Sequence, residues 1–325
     1  MKIMQLLKCQ KGAALVVFAL GLPVIIGLSS LTIDVGNILA NKAEVSAAAD
    51  AAALAGAQEL PRFPADSEDR AIAFLERNGV PYAEGNVDIA WGADNRSIKV
   101  TAARDVPLYF APFLGVNTYR VSASATAQVC IANSVPWIVP FVLPKTQSFD
   151  HTKTFTMRMY GAKNRYYTAT AADPADQQMD YMNVGIENTS FNQYIYYLKY
   201  GYQKKFSVGN DMQYLGPSSG GQASVDAFYD RTVRDSNRDS TKAQLGDPRV
   251  MLIPLVETML PRTTAEGTKM KIVGFVGFFL DEVHRDYGER FWARGRFIKD
   301  LNVGPGETTD NAAADFGVRT VRLAE

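Results

Sequence analysis

The stretch Lys11–Leu60, KGAALVVFALGLPVIIGLSSLTIDVGNILANKAEVSAAADAAALAGAQEL, changes character part-way along. From Ala13 to Ile33 it holds 21 residues without a charge, the length needed to cross a hydrocarbon core about 30 Å thick. Lys2, Lys8 and Lys11 precede the run, and no acidic residue appears before Asp34. That asymmetry predicts a single-pass helix with a cytoplasmic N-terminus and the bulk of the chain outside the cytoplasm. Pro23 is compatible with such a helix, because neighbouring groups re-satisfy the freed carbonyl. The alternative is a cleaved secretory signal, with Gly27 and Ser29 as small residues before the cut. The run exceeds the roughly 7–15-residue core of such a signal, and the helical pattern continues beyond it, so a retained anchor is expected.

After Asp34, small and apolar residues recur at Val35, Ile38, Leu39, Val45, Ala49, Ala52, Ala53 and Gly56. These are helical spacings, and alanine is the best helix former. An unbroken helix from Ala13 to Leu60 would be roughly 70 Å long at ~1.5 Å per residue, with Pro61 and Pro64 stopping it. Ala48, Ala52 and Gly56 follow a small-xxx-small rhythm that admits a close neighbour. Either the stripe packs on the protein's own globular part, or it packs on partner helices and gives a homo-oligomer through the stalk.

The 325 residues are 47% hydrophobic and 21% charged, with a formal net charge of zero. This is the composition of a folded protein. No Lys/Arg block offers a nucleic-acid footprint. Two cysteines, Cys9 and Cys130, cannot form a disulfide framework, and a span between them would place them in different compartments. Lys8 before Cys9, with the apolar run after rather than before it, does not fit a lipidation signal.

Lys11-Gly12, FALGLP (Phe18 to Pro23), IDVG (Ile33 to Gly36) and AADAAALAGA (Ala48 to Ala57) resemble the N-terminal region of TadE/TadG-like proteins of the Tad (Flp, tight-adherence) pilus assembly system. The resemblance covers about fifty residues, and the alanine-rich block is its specific part. It implies a non-enzymatic component of the cytoplasmic (inner) membrane and cell envelope that helps build or tether an adhesive pilus. Its partners would be other Tad/Flp assembly proteins. Gly12, Phe18, Pro23, Asp34, Gly36, Asp50 and Gly56 carry the pattern, with implied roles in insertion, membrane exit and close packing. Family members handled as pseudopilins have a glutamate five residues after the cleavage-site glycine. Val17 stands there in this chain, so processing after Gly12 is not expected. More loosely, YYLKYGYQKKFSVGNDMQYLGPSSGGQ, GDPRVMLIPLVE and MKIVGFVGFFLDEV resemble a subgroup with a β-rich C-terminal region.

Beyond the stalk, residues 66–77 read as a short amphipathic helix ended by Asn78-Gly79. NVDIAW and SIKVTA flank the turn GADNR as a hairpin. PLYFAPFLG reads as a short buried element, and RVSASATAQVC alternates as a strand. Pro136, Pro140 and Pro144 suggest a hinge. Ser190 and Gln193 form a capping box before a helix with Phe191, Tyr194, Ile195 and Leu198 on one face, and Gly201 suits its C-terminus. A second helix is expected over Ser224–Arg234, followed by three core strands in RVMLIPLVE, KMKIVGFVGFFLDEV and RFWARGRFIKDL. The tyrosines between Tyr181 and Tyr202 suit half-buried packing better than a sugar platform.

Three patterns could carry chemistry. GPSSG, with Ser218 at its centre, matches a nucleophile elbow in letters but lacks the strand before it and the helix directly after it. Asp235, Asn237 and Asp239 fall at positions one, three and five of a calcium loop. Ser240 and Gly246 stand where that loop needs glycine and a bidentate glutamate. DHTKT from Asp150 is similar to the metal-dependent adhesion site of larger TadG proteins, but no apolar strand precedes it. The two histidines and two cysteines are too far apart in sequence for a zinc cluster.

The expected fold is α+β: a transmembrane and alanine-rich helix leading into a small pilin-like antiparallel sheet unit and a C-terminal β-rich domain. Its divisions are a cytoplasmic N-terminus (1–12), membrane helix (13–33), stalk (34–60), α+β unit (61–132), Pro-rich hinge (133–150), β-rich domain (151–310) and a polar, loose tail (311–325). No catalysis and no cofactor are expected, calcium at the partial loop excepted. A membrane-anchored extracytoplasmic ligand-binding protein, for calcium or a glycan, is the alternative to the pilus-assembly reading.

Overall fold

A computed structural model describes residues 10–83, 85–159, 177–186, 189–216, 222–261, 264–285 and 291–324. Helix α1 runs unbroken over Gln10–Ala57, with Pro23 inside it. Its 48 residues extend about 70 Å at ~1.5 Å each. Pro64, instead of ending α1, opens α2 (Pro64–Arg77), where a missing N–H costs nothing. Asn78 caps α2, and Gly79 follows with φ 75°, the left-handed stop that the sequence predicts.

The hairpin forms as expected from β1 (Val87–Trp91) and β2 (Ser97–Pro107), with Asn95 in the turn at φ 54°. β3 (Thr118–Ala132) pairs antiparallel with β2 along its length. β4 (Ser134–Val135) and β5 (Phe141–Pro144) follow immediately. β6 (Phe155–Met159), β7 (Gln177–Gly185), α3 (Phe191–Tyr200), β8 (Phe206–Ser207), β9 (Asp211–Tyr214) and α4 (Gln222–Arg234) come next. The last strands are β10 (Val250–Val256), β11 (Lys269–Arg285), β12 (Phe291–Ile298), β13 (Leu301–Pro305), β14 (Thr308–Thr309) and β15 (Val318–Leu323).

Two sheets organise the molecule. In the first, the order is β1-β2-β3-β15-β13, with β14 also on β3. The second closes on itself as a barrel: β10-β5-β7-β6-β12-β11 and back to β10, with β9 bridging β11 and β7. β10 is buried at every position because it feeds two cores. Met251, Ile253 and Leu255 join the Phe141, Phe155, Phe228 and Phe278 cluster. Val250, Leu252 and Val256 join Val142, Ile272 and Phe279. Such an unbroken apolar run is the signature of a strand covered on both faces.

Three expectations need correction. The Pro-rich stretch 133–150 is no hinge, since Ile138, Val139, Phe141, Val142 and Leu143 are fully buried and β5 is a barrel strand. Pro140 keeps its carbonyl in use, accepting from Val184 N at 3.0 Å. The tail 311–325 is not loose, because β15 pairs with β3 from Arg319↔Ile131 to Leu323↔Ala127. The small unit 61–132 therefore also contains residues 301–323, and it includes the second half of α1. Arg319 of this polar tail is buried, with Asp300 and Asp315 taking its guanidinium at 2.6 and 2.7 Å. Finally, PLYFAPFLG forms a single 3-10 turn over Ala111–Leu114 at the β2–β3 tip, and its aromatics Tyr109 and Phe113 are exposed.

The sheet unit and the barrel are fastened by polar side chains on backbone. Arg62 donates to the carbonyls of Ala243 (2.6 Å) and Thr241 (2.6 Å) across the junction, and within the sheet unit Asn302 donates to Gln58 O at 3.1 Å. Arg231, buried without a carboxylate hydrogen-bonded to it, donates to Leu198 O, Pro248 O and Val250 O and so joins α3 and α4 to β10. The Ser190–Gln193 capping box is present, and Tyr194 and Leu198 are buried as the sequence predicts, whereas Phe191 is exposed.

Candidate functional site

The residues of the family-like pattern lie along one helix and meet three environments. From Leu15 to Ile33 the large side chains of α1, Phe18 among them, are exposed. The helix is long and apolar enough to cross a membrane. Gly12 and Pro23 lie in the same helix, and nothing stands within 4 Å of a Cβ added at Gly36.

Asp34 ends this run and is 4% exposed. Its carboxylate accepts backbone N–H groups from Tyr109 (2.7 Å), Phe110 (3.1 Å) and Ala111 (2.8 Å) at the start of the 3-10 turn. Burial opposes ionisation, but the three donors outweigh it and hold the carboxyl below the usual carboxylate range. Asn37 adds a bond from Nδ2 to Pro107 O at 3.0 Å, and Lys42 donates to Ser122 O. The aspartate that marks the end of the span in sequence is thus the clasp joining α1 to the β2–β3 tip.

Further along, Val45, Ala48, Ala49, Ala52, Ala53 and Ala57 are fully buried against Ile98, Val100, Ala102, Val121, Ala127 and Val321 of the sheet and Ala71 and Leu75 of α2. Small side chains let the helix axis come close to the sheet. At Gly56 an added Cβ would stand 2.7 Å from Ile98 Cδ1 and 2.9 Å from Ser67 O. Ala48, Ala52 and Gly56 are therefore occupied by their own chain, which corrects their assignment to partner packing and removes the stripe as a homo-oligomer seam. Asp50 is half-buried at the margin of this contact.

The partial calcium loop is a run of side-chain-capped turns. Asp235 Oδ1 accepts from Asn237 N (2.7 Å), Asn237 Oδ1 from Asp239 N (2.9 Å), and Asp239 Oδ1 from Thr241 N (3.0 Å). Each side chain caps the turn that follows it, and the carboxyl of Asp239 is held low by the Thr241 hydroxyl and amide. Among the described residues, no group of three His, Cys, Asp or Glu side chains could hold a metal ion. Asp150 likewise serves its own turn, accepting from Thr152 N and Oγ1. Ser218 lies outside the described residues.

A polar cleft of about 1210 Å³ opens beside α4 and β11–β12. Its Arg296 and Asp281 pair at 3.0 Å, and its Arg294 and Glu282 pair at 2.9 Å. Burial pushes the Asp281 carboxyl up against the pull of Arg296. Sequence reading did not point to this cleft, because its charges come from separated strands. It also missed the β2–β3 tip, whose signal was present: Val106–Tyr119 contains no charged residue.

A search of curated proteins and a search of solved structures each found no match. Residues 12–59 match the family described as "Putative Flp pilus-assembly TadE/G-like". The matched segment coincides with the span, the Asp34 clasp and the alanine face, so the helix that builds this site is similar to that of TadE/G-like proteins of the Tad pilus system.

Proposed function

We propose that this chain is a non-enzymatic cell-envelope component of Tad/Flp pilus assembly. It is anchored in the cytoplasmic membrane by one helix with the N-terminus inside, and it positions its sheet unit and barrel outside for pilus biogenesis or tethering. The observation that carries this reading is the family match over residues 12–59, which covers both span and stalk. The rigid continuation of α1 into the sheet supports a positioning role, because a helix buried along one face cannot swivel on its anchor. The contacts with other assembly proteins would then use the outer surfaces of the sheet and barrel.

The test is deletion of the gene followed by electron microscopy of surface filaments and a surface-adhesion assay. Loss of Flp filaments or of adhesion, restored by the full-length gene, is the expected result. Unchanged filaments and adhesion would overturn the assignment.

A second reading, an anchored binder of a polar ligand such as a glycan or calcium, is favoured only by the cleft beside α4. Calorimetry on the whole protein in detergent separates the two. It must be the whole protein, since α1 is part of the sheet unit's core.

A further inference from the structure

The β2–β3 tip combines features that the pilus reading leaves unused. Phe113 is 88% exposed and Tyr109 63%, and Val116 and Tyr119 are also largely uncovered. Large exposed aromatics beside one another are costly in water unless something covers them. The fourteen residues from Val106 to Tyr119 carry no charge. The run is bounded on both strands by charge, Asp105 and Arg120, which approach to 3.4 Å.

The position of the tip relative to the helix is fixed. α1 and β2 run antiparallel: Asp34 meets Tyr109–Ala111, Asn37 meets Pro107, Asn41 meets Arg104 at 2.9 Å, and Gly56 meets Ile98. The tip therefore lies at the level of the first helical turn after Ile33, where the uncharged run of α1 ends. At the same level the free face of α1 shows Val35 and Leu39, both exposed. Asp34, the charged side chain of that turn, is covered by the tip's own N–H groups. The next charges outward on α1 are Lys42 and Glu44. Apolar surface thus surrounds the helix at one height, and polar surface begins about two turns farther out.

We propose that the β2–β3 tip is an interfacial docking loop that seats Tyr109, Phe113 and Tyr119 in the headgroup layer of the membrane crossed by α1. The inference rests on the anchored reading of α1. Aromatic side chains at this depth have an apolar body for the acyl boundary and, in tyrosine, a hydroxyl for the water side. The occupant is lipid rather than a second protein because the tip is joined, through Asp34, to the point where the span ends. A tip held there by three hydrogen bonds meets the bilayer surface whenever the span is inserted. Docking gives the anchor a second foot and sets the tilt of the outer domains.

The full-length chain, with Cys9→Ser and Cys130→Ser, is reconstituted in phosphatidylcholine vesicles and labelled with an environment-sensitive fluorophore at Phe113→Cys. Tyr119→Cys is a second tip position, and Asp94→Cys, at the far turn of the same sheet, is the control. The Asp94 turn lies near the end of α1, roughly 35 Å beyond Asp34 at ~1.5 Å per residue. Expected are blue-shifted emission and several-fold stronger quenching by nitroxide lipids at both tip positions than at position 94. Floating of the protein with the vesicles but equal, weak quenching at all three positions would overturn the docking loop alone. A concentration-dependent blue shift without lipid quenching would show a second copy covering the tip and would also overturn it. Failure to float would remove the anchor itself, and the docking loop with it.

Discussion

Between Leu15 and Ile33, α1 turns large aliphatic side chains outward, and between Val45 and Ala57 it buries small ones. The two segments share one unbroken backbone, and Asp50 is the one charge in either. They differ in what supplies the missing contacts. Lipid chains can flow around Leu, Ile and Phe, so the outer half needs no complementary protein surface. A β-sheet is fixed, so the inner half must shrink its side chains until the sheet fits. Residue size and burial separate the two, with Asp34 and the exposed Val35 and Leu39 lying between them.

The sharpest break in this comparison is the same change made in each half. Ala52→Arg should cost about 4 kcal/mol or more by burying an unpaired charge. Limited proteolysis of the sheet unit should then become rapid while membrane insertion persists. Ile25→Arg should cost the span ~2.5–3.5 kcal/mol of insertion free energy, read as a larger fraction extracted by alkaline carbonate, with the sheet unit still protease-resistant. Gly56→Ala should lower stability by about 1–3 kcal/mol, because the new methyl meets Ile98 and Ser67 O below normal contact distance. A melting curve of the full-length protein in detergent would record it, and an unchanged midpoint would mean the sheet is looser than described.

The smallest effect belongs to the boundary itself. The folded-state carboxyl of Asp34 titrates below its ordinary value near 3.8. The clasp is therefore fully present above that value and is lost as pH falls through the depressed one. Hydrogen-exchange protection of the Tyr109–Ala111 amides, corrected for intrinsic rates, should fall on acidification in that window. Asp34→Asn should abolish that pH dependence.

Local features were legible in the sequence: the span, the helical stalk, the Asn78-Gly79 stop, the GADNR hairpin turn and the Ser190–Gln193 cap. Each depends on residues within a few positions of one another. The barrel closure was not legible, because β5 pairs parallel with β10 and β6 with β7, and alternation identifies a strand without naming its partner. The prolines at 136, 140 and 144 suggested a hinge because turn chemistry is local, yet the apolar residues between them are claimed by cores assembled later. At the site, the alanine stripe left own-chain and partner packing open, and sheet contacts decided for the former. Asp34 was legible as the end of the span, while its three hydrogen bonds depend on a loop 75 residues away.

The insertion of β15 between β3 and β13 has a consequence for the order of assembly. Val321 closes the same core as Ala48 and Ala52. Because translation runs from the N-terminus, the stalk is synthesised long before the strand that completes its cover. Until Val318–Leu323 emerges, part of that alanine face stays unsheathed and open to chaperones and proteases. A chain truncated before Val318 therefore leaves part of the alanine face without its cover.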